Sequence, residues 1–450
     1  MIVEIYNNKL LTSFKILHTV KYNIILLFFL LPTTVIFSQT AKKITAPQTP
    51  CNGSADDVAG IYTNHTQPKY GFSLKGTTAE KAVMMKNLIG IEKLEEASRN
   101  NFKLTGCVAR VSFARTENRT YGKNVYAAYG YRLSAYQLVC HVTEHVPKIV
   151  DEYRTVFGVD INPYIAPGGA NPVGTGNFSM KFGHMVYSFP IEAKPGPDFE
   201  KNKNEKPSRV SQYFSEQDLL TGRSDDYKNK HSEFLKLNNG NGYVENWQGG
   251  SRYDKHGPDS YQLIDRHYFI TKPGIPLLIP VSRKHYLEDM LEYLEIEKAN
   301  FEYINTKELT DLGTQTADWA KNRKADLEAD KLAYPKIYEA KKAKLKDLLA
   351  NQKIEWLQKP AVVDKNNILK DANESLQALG RFYDKEDEYK VALYIINPAY
   401  FTSNNGQTTK PLLIEVQFRY EISKESGFST RLFNNWEKNF DLGALRKLLE

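Results

Sequence analysis

The chain has 450 residues, with 60 Lys and Arg against 53 Asp and Glu, which gives a net charge of +7. So small an excess does not indicate nucleic-acid binding, which calls for a basic patch or stripe. The length is sufficient for two or three domains, and an aromatic content of 12% is enough to build their cores.

The N-terminus has the features of an export signal. Lys9, Lys15 and Lys21 precede an apolar run at residues 24–37, which small or polar residues follow. The run is about 14 residues long, short of the ~20 that a helix needs to cross a bilayer. We therefore expect a cleaved signal peptide at residues 1–39 and a periplasmic or secreted mature chain. An uncleaved anchor is the alternative.

Three cysteines remain after the leader, and an oxidising compartment predicts one disulfide and one free thiol among Cys51, Cys107 and Cys140. A symmetric hairpin turning near Arg119 would place Cys107 opposite Arg132. Cys140 would then lie about 8 residues, or ~27 Å, further along the strand. A disulfide needs Cα atoms within ~7 Å, so a bond between Cys107 and Cys140 requires an asymmetric loop or a non-adjacent strand. The pairing stays open.

The first half of the mature chain predicts a helix followed by strands. Thr77 and Glu80 have the spacing of a capping box, and the helix they begin is expected to end near Arg99. Residues 102–113 and 124–140 are rich in β-branched and aromatic side chains, which predicts two strands. A turn region at residues 116–123 separates them.

Further along, residues 178–191 predict one more strand. Residues 192–207 are charged, rich in proline and nearly free of large apolar groups, which indicates a domain boundary. Residues 41–66 and 238–258 are polar and are predicted to be loops.

Residues 261–300 are the clearest folding unit of the sequence. Residues 261–271 predict a strand, residues 272–274 a turn containing Pro and Gly, and residues 275–281 a second strand. Ser282 is a good N-cap for a following helix. We expect this helix to bury one apolar stripe against the hairpin, formed by Leu287, Met290, Leu291 and Leu294.

A basic cluster occupies the first turn of that helix. Arg283, Lys284 and His285 lie where the helix dipole disfavours cations. The interpretation we favour is neutralisation by a nearby carboxylate, for which the sequence offers Asp265, Glu288 and Asp289. The alternative is an anion-binding site, formed by this cluster together with the free N–H groups of the helix start.

The last third predicts helices and then strands. Residues 316–357 are dense in Ala, Lys, Glu and Leu, which favours a charged helical arm that Pro335 breaks or kinks. Its mixed charges indicate a solvated face, or alternatively a clamp for an unfolded client. Two strands and a short helix are expected to end the chain, at residues 389–401, 412–420 and 442–449.

The sharpest chemical motif is H-x-x-E-H, formed by His141, Glu144 and His145. On a helix, this spacing places both imidazoles on one face to bind zinc, while the glutamate activates the metal-bound water, as in inverted zincins. A third ligand is required, and Glu216 is a candidate. Pro147 and the strand-like residues before the motif argue against a helix through it. We expect a strand that ends near His141 and a helix that begins at Glu144.

Four segments of the second half form an ordered set: PLLIPVSRKHYLEDML, EWLQKPAVV, INPAYF and NFDLGALRKLL. As a set they resemble an uncharacterised family of exported proteins from Gram-negative bacteria, over roughly residues 261–450. The resemblance implies an extracytoplasmic protein, and it supplies no catalytic residue.

The sequence therefore predicts an α+β fold with antiparallel strands, packed helices and a charged helical arm. The expected organisation is a signal peptide, an N-terminal α+β domain, a central hairpin-helix unit, the arm and a strand-rich segment, at residues 1–39, 40–200, 201–310, 311–360 and 361–450.

The function we expect is a non-enzymatic binding or interaction protein without a cofactor. Its partner would be an envelope component, a glycan or a protein, and the mature chain would have no transmembrane segment. The alternative is a zinc-dependent hydrolase using His141, Glu144 and His145.

Overall fold

The structure is a computed structural model of the chain. It describes residues 46–47, 49–64, 74–113, 117–121, 124–165, 177–182, 185–190, 209–214, 227–251, 260–364, 370–387, 389–401, 407–423 and 427–450. The predicted signal peptide, the predicted boundary at residues 192–207 and Glu216 lie outside these ranges. Residues 46–450 form one compact unit.

The fold is mixed α+β, as predicted, with 43% helix and 28% strand. The strands of the described ranges are β1 Ile61–Asn64, β2 Cys107–Phe113, β3 Glu117–Tyr121, β4 Asn124–Cys140, β5 Pro147–Ile161, β6 Asn177–Phe182, β7 Met185–Pro190, β8 Tyr243–Ser251, β9 Ser260–Ile270, β10 Leu278–Pro280, β11 Val362–Asp364, β12 Lys370–Asp371, β13 Lys390–Ala392, β14 Tyr394–Ile396 and β15 Ile414–Ile422. The helices are α1 Thr78–Ser98, α2 Tyr227–Asn238, α3 Arg283–Leu312, α4 Asp318–Asn351, α5 Ile354–Leu357, α6 Ala372–Ala378, α7 Gly427–Asn439 and α8 Leu442–Arg446.

One large sheet organises the strands in the order β1-β2-β4-β5-β15-β9-β8, and β3 pairs with the first part of β4. β1 and β2 run parallel, whereas the other pairs in this order are antiparallel. Burial alternates along the first part of β15: Ile414, Val416 and Phe418 are buried, and Glu415 and Gln417 between them are half-buried. Because successive side chains of a strand point to opposite faces, the sheet has one apolar and one polar face.

Helices α1, α7 and α8 contribute to the core on the apolar face. Leu88 of α1 and Trp436 of α7 are fully buried there beside Phe157 of β5. The ring centroids of Phe157 and Trp436 lie 5.2 Å apart. The capping box predicted for α1 is confirmed, since the side chains of Thr77 and Glu80 each accept a hydrogen bond from the other's backbone N–H.

A second core surrounds the long helices α3 and α4. Tyr334 of α4 stacks on Phe301 of α3, with ring centroids 3.9 Å apart and planes at 8°. Met180 and Tyr187 from the hairpin of β6 and β7 are buried in the same cluster. Ser282 caps α3, as predicted, by accepting a hydrogen bond from the backbone N–H of His285.

The predicted hairpin within residues 261–281 is wrong, although the turn between its strands is present. β9 pairs with β8 and β15, whereas the short β10 pairs with β14. Pro276 and Pro280 lack the N–H groups that a ladder along β9 would need. The apolar stripe of α3 therefore packs in the core shared with α4 and the β6–β7 hairpin.

Helix α4 runs without a break through Pro335. Of the two outcomes predicted there, a break or a kink, the break is therefore wrong. A proline inside a helix costs about 3 kcal/mol, because it removes one hydrogen bond and clashes with the preceding turn. Tyr334 and Tyr338 are buried on either side of the exposed Pro335. Their packing against α3 offsets this cost.

Several elements lie where the sequence predicted something else. β1, β3 and β8 occupy stretches predicted as loop or turn, and the strand predicted at residues 178–191 is the hairpin of β6 and β7. Helix α7 was not predicted. No helix in the described part of the chain combines the length and the apolar character that a bilayer span requires.

Candidate functional site

The H-x-x-E-H motif lies in the turn that joins β4 to β5. The strand ends at Cys140 as predicted, but the helix expected from Glu144 is absent, because β5 begins at Pro147. His141 and His145 close the turn through a backbone hydrogen bond of 2.9 Å, and the φ of His145 is 52°. The paired imidazoles of a helical zinc site therefore have no scaffold here.

The side chains of the motif interact with one another and with solvent. His141 Nδ1 accepts a hydrogen bond of 3.2 Å from the backbone N–H of Glu144, whose carboxylate pairs with Lys148 at 2.7 Å. Among the described residues, no three His, Cys, Asp or Glu side chains are grouped so that they could hold a metal ion.

A disulfide fastens the same turn to the start of the described chain. It joins Cys51 to Cys140, and the backbone N–H of Cys51 donates to the carbonyl of His145 at 2.9 Å. Cys107 is the free, buried thiol and lies opposite Gln137 instead of Arg132. The predicted symmetric hairpin, with a turn near Arg119, is wrong. The connection between β2 and β4 contains a further strand, β3, which also pairs with β4.

The three basic residues at the start of α3 each have a carboxylate partner. Arg283 is buried between Trp356 and Phe382, and it donates to Asp384 at 3.1 Å. Two further ion pairs lie on α3 itself, Lys284 with Glu288 at 3.8 Å and His285 with Asp289 at 3.1 Å. Glu288 and Asp289, two of the three carboxylates that the sequence offered as partners, therefore pair with this cluster. The third, Asp265, lies in β9 of the central sheet. The anion site at this helix start stays a prediction.

A row of charged side chains crosses the polar face of the central sheet. Its ion pairs are, in order across the strands, Arg132–Asp160, Glu415–His267, His267–Asp265 and Asp265–Arg419, with N···O distances of 2.5–3.1 Å. Two glycines leave room for the first pair. A Cβ at Gly158 would lie 2.0 Å from Arg132 Nη1, and one at Gly130 would lie 2.1 Å from Asp160 Oδ1. With His267 protonated, three cations balance three carboxylates.

The pKa values of this row fit a structural role. Burial would lower the pKa of His267, but hydrogen bonds to Asp265 and Glu415 outweigh burial and raise the pKa to about 9. Burial would raise the pKa of Asp265, but the hydrogen bonds from His267 and Arg419 lower it to about 2. At neutral pH both ring nitrogens of His267 therefore donate, and neither is free to accept a proton.

The stability of the protein should fall as His267 loses its proton. Its folded pKa lies above the unfolded value, so its contribution of about 3 kcal/mol is complete below about pH 6.5 and is lost as the pH rises through about 9. Urea unfolding at several pH values measures the fall. His267→Gln should flatten the profile between pH 7 and 9.5, and the exposed His141→Gln should not. An unchanged profile in His267→Gln would contradict the assignment.

An open pocket of about 490 Å³ lies beyond the end of β9. Three segments line it: the turn after α2 with Asn239 and Asn241, residues 271–276 after β9, and Arg446 at the end of α8. The turn that contains Pro273 and Gly274, which the sequence predicted, forms part of its wall. The residues that line the pocket are therefore up to about two hundred positions apart in the sequence.

Local backbone contacts hold these segments in place. Gly240 has a φ of 72°, and a Cβ there would lie 2.5 Å from Thr271 Oγ1, so only glycine lets the turn approach this closely. The side chain of Asn238 exchanges two hydrogen bonds with the backbone of Leu278, at 2.8 and 3.0 Å. Arg446 Nη2 donates to the carbonyl of Gly240 at 3.0 Å, which fastens the C-terminal helix to the turn.

The pocket is positively charged, and the described residues place no carboxylate beside its cations. Lys272 Nζ donates to the carbonyl of Tyr400 at 3.3 Å and lies 5.4 Å from the centre of its ring. Burial lowers the pKa of Lys272, and the nearby charge of Lys410 lowers it further. Within the described ranges, no Asp or Glu forms an ion pair with Lys272, Lys410 or Arg446.

Thr271 lies in the wall of this pocket, but its hydroxyl is buried under the turn at Gly240. The residue is only 3% exposed, and among the described residues its Oγ1 has no hydrogen-bond partner. A buried polar atom left without a partner costs about 1–3 kcal/mol. Because this oxygen has almost no exposed surface, a ligand in the open pocket does not contact it.

Sequence reasoning noted all three segments, namely the turn at residues 272–274, the polar stretch from Asn238 and the terminal helix at residues 442–449, but it did not connect them. None of them has a motif that marks a binding residue. The pattern that was available, a lysine beside a Pro-Gly turn, is common in loops.

Comparison with protein-family models, curated proteins and solved structures finds no match to this chain.

Proposed function

We propose that this protein is an exported, non-enzymatic binding protein, and that the basic pocket holds the anionic group of a small ligand. The observation that carries the proposal is the pair of cations, Lys272 and Arg446, that line the pocket without a carboxylate partner in the described chain. Burial, and secondly the charge of Lys410, lowers the pKa of Lys272, and an anion beside its ammonium group would oppose both effects.

The chemistry of the lining supports binding over catalysis. The described lining residues include no His, Cys, Asp, Glu or Ser. They therefore offer no carboxylate or imidazole for general acid–base catalysis. Lys272 and Arg446 instead provide donors for charge-assisted hydrogen bonds, which are stronger than neutral ones. Such a set is suited to positioning a charged group.

An extracytoplasmic location is part of the proposal. The N-terminal sequence has the pattern of an export signal, and the disulfide between Cys51 and Cys140 is of a kind that persists in oxidising compartments. A periplasmic or secreted binding protein would meet free solutes and envelope components there.

Binding can be tested on protein that lacks residues 1–39. Inorganic phosphate and acetate, each compared with chloride at equal ionic strength, should raise the melting temperature, since a ligand at 100 times its Kd stabilises by about 2.7 kcal/mol. Lys272→Gln should weaken binding by 10-fold or more, because a hydrogen bond to a charged group contributes about 1.5–3 kcal/mol. Isothermal titration calorimetry gives the Kd values.

Lys447→Gln is the matched control, because it removes the same charge from the residue next to Arg446 without altering the described lining. It should leave Kd within about twofold, since an exposed charge outside the pocket contributes only a screened, long-range attraction. Equal weakening by Lys447→Gln and Lys272→Gln would show a diffuse charge effect. The absence of any specific stabilisation, with the acidic sugars named below included, would reject the proposed function.

A further inference from the structure

The basic pocket is lined by neutral residues as well as by its two cations, and these neutral residues indicate which other chemical groups the ligand has. Asn239 and Asn241 are exposed and line the pocket, and neither side chain has a hydrogen-bond partner among the described residues. An asparagine amide combines two donor hydrogens with an acceptor oxygen. Two such amides close together match a group of neighbouring hydroxyls, each of which both donates and accepts.

Another part of the wall is apolar and aliphatic. It consists of Pro273, Ile275 and Pro276, and Ile275 is 38% exposed. This wall offers C–H surface to the less polar face of a saturated ring. The described lining contains no aromatic side chain, so it has no platform on which a nucleobase or another planar ring would stack.

The size of the pocket argues against a bare inorganic anion as its full occupant. Its volume of about 490 Å³ falls within the roughly 300–1,000 Å³ that is typical of small-molecule sites. Phosphate or acetate would contact the cations and leave the amides and the aliphatic wall unused. A ring-sized ligand with an acidic substituent can contact all three.

We propose that the ligand is an acidic sugar, a hexose-sized ring that bears a carboxylate or a phosphate. This inference rests on the proposed function. Lys272 and Arg446 hold the acidic group, and the two asparagines bond to the ring hydroxyls. The carboxylate and the phosphate ester share this chemistry, and both are included in the test.

The test compares four ligands by calorimetry on protein lacking residues 1–39: glucuronate, glucose 6-phosphate, glucose and acetate. We expect at least one acidic sugar to bind 10-fold or more tightly than both glucose and acetate. The preference between glucuronate and glucose 6-phosphate then identifies the acidic group. Equal affinity for acetate and both acidic sugars would overturn the inference while leaving anion binding, and thus the proposed function, intact.

Variants separate the two parts of the ligand. Asn241→Ala should weaken the binding of the acidic sugar by about 5-fold or more and leave the Kd of acetate unchanged, whereas Lys272→Gln should weaken both. Asn100→Ala, which replaces an exposed asparagine outside the described lining, should change neither. If Asn241→Ala and Asn239→Ala both leave the affinity for the acidic sugar unchanged, the amides do not hydrogen-bond to the ring hydroxyls and the inference is wrong.

Discussion

Replacing Lys341 by methionine should destabilise the protein by about 3–5 kcal/mol, the loss expected when one partner of a buried ion pair is removed. Lys341 of α4 and Glu297 of α3 are each 2% exposed, and Lys341 Nζ lies 2.9 and 3.1 Å from the two carboxylate oxygens. Tyr334 also donates to this carboxylate at 2.9 Å. Methionine fills a similar volume, so the loss would come from the charge left on Glu297.

The double variant Glu297→Gln with Lys341→Met tests this explanation. It removes both charges and still leaves an amide oxygen for Tyr334, so it should regain most of the stability lost by Lys341→Met alone. Lys342→Met is a matched control, because Lys342 pairs with Glu295 at the surface, where ion pairs contribute little. Urea unfolding measures all three. A loss in Lys341→Met no larger than that in Lys342→Met would contradict the buried pair.

Loss of the disulfide should have an effect of similar size. Cys51 and Cys140 are 89 residues apart, and closing a loop of that length restricts the unfolded chain by about 4.6 kcal/mol in the entropy model, with about 2–5 kcal/mol usual for a native disulfide. The variant with both cysteines replaced by alanine should unfold at correspondingly lower urea concentration. Reduction with dithiothreitol should destabilise the wild type and leave that variant unaffected.

Thiol counting checks the same bond independently. Protein collected after export and denatured without reductant should expose one reactive thiol, that of Cys107, because the other two cysteines are joined. After reduction it should expose three. Three thiols without reductant would show that the bond does not form in the exported protein, which would remove one support for an oxidising location.

Short-range patterns predicted those features whose causes lie within a few residues. The capping box of Thr77 with Glu80 and the N-cap at Ser282 are local hydrogen bonds, and both occur as expected. The long run that forms β4 was also clear, because its β-branched and aromatic residues continue without a breaker. Errors arose where a distant partner decides the outcome.

The partner of β9 is one example. A turn at residues 272–274 indicates a hairpin, but β9 instead pairs over nine residues with β15, some 150 positions away. Pro335 is another, since propensity predicts a possible break and the burial of Tyr334 and Tyr338 keeps the helix continuous. In both cases packing over a large area outweighs a local preference of a few kcal/mol.

The candidate site follows the same division. The residue types that line the basic pocket were visible in the sequence, but three distant segments meet there only because α2, β9 and α8 pack at one end of the sheet. The zinc motif shows the reverse. His141, Glu144 and His145 lie within five residues and match a zinc-binding pattern that requires a helix. In the structure they lie in the turn between β4 and β5, which is not helical.

The sequence by itself determined the α+β class, the helix caps, the main strands and the supply of cysteines for one disulfide, because these depend on composition and on contacts a few residues long. The tertiary structure decided which strands pair, which cysteines join, which charges are neutralised and which cations have no carboxylate partner in the described part of the chain. Those outcomes depend on the distances between remote residues, which a linear pattern does not contain.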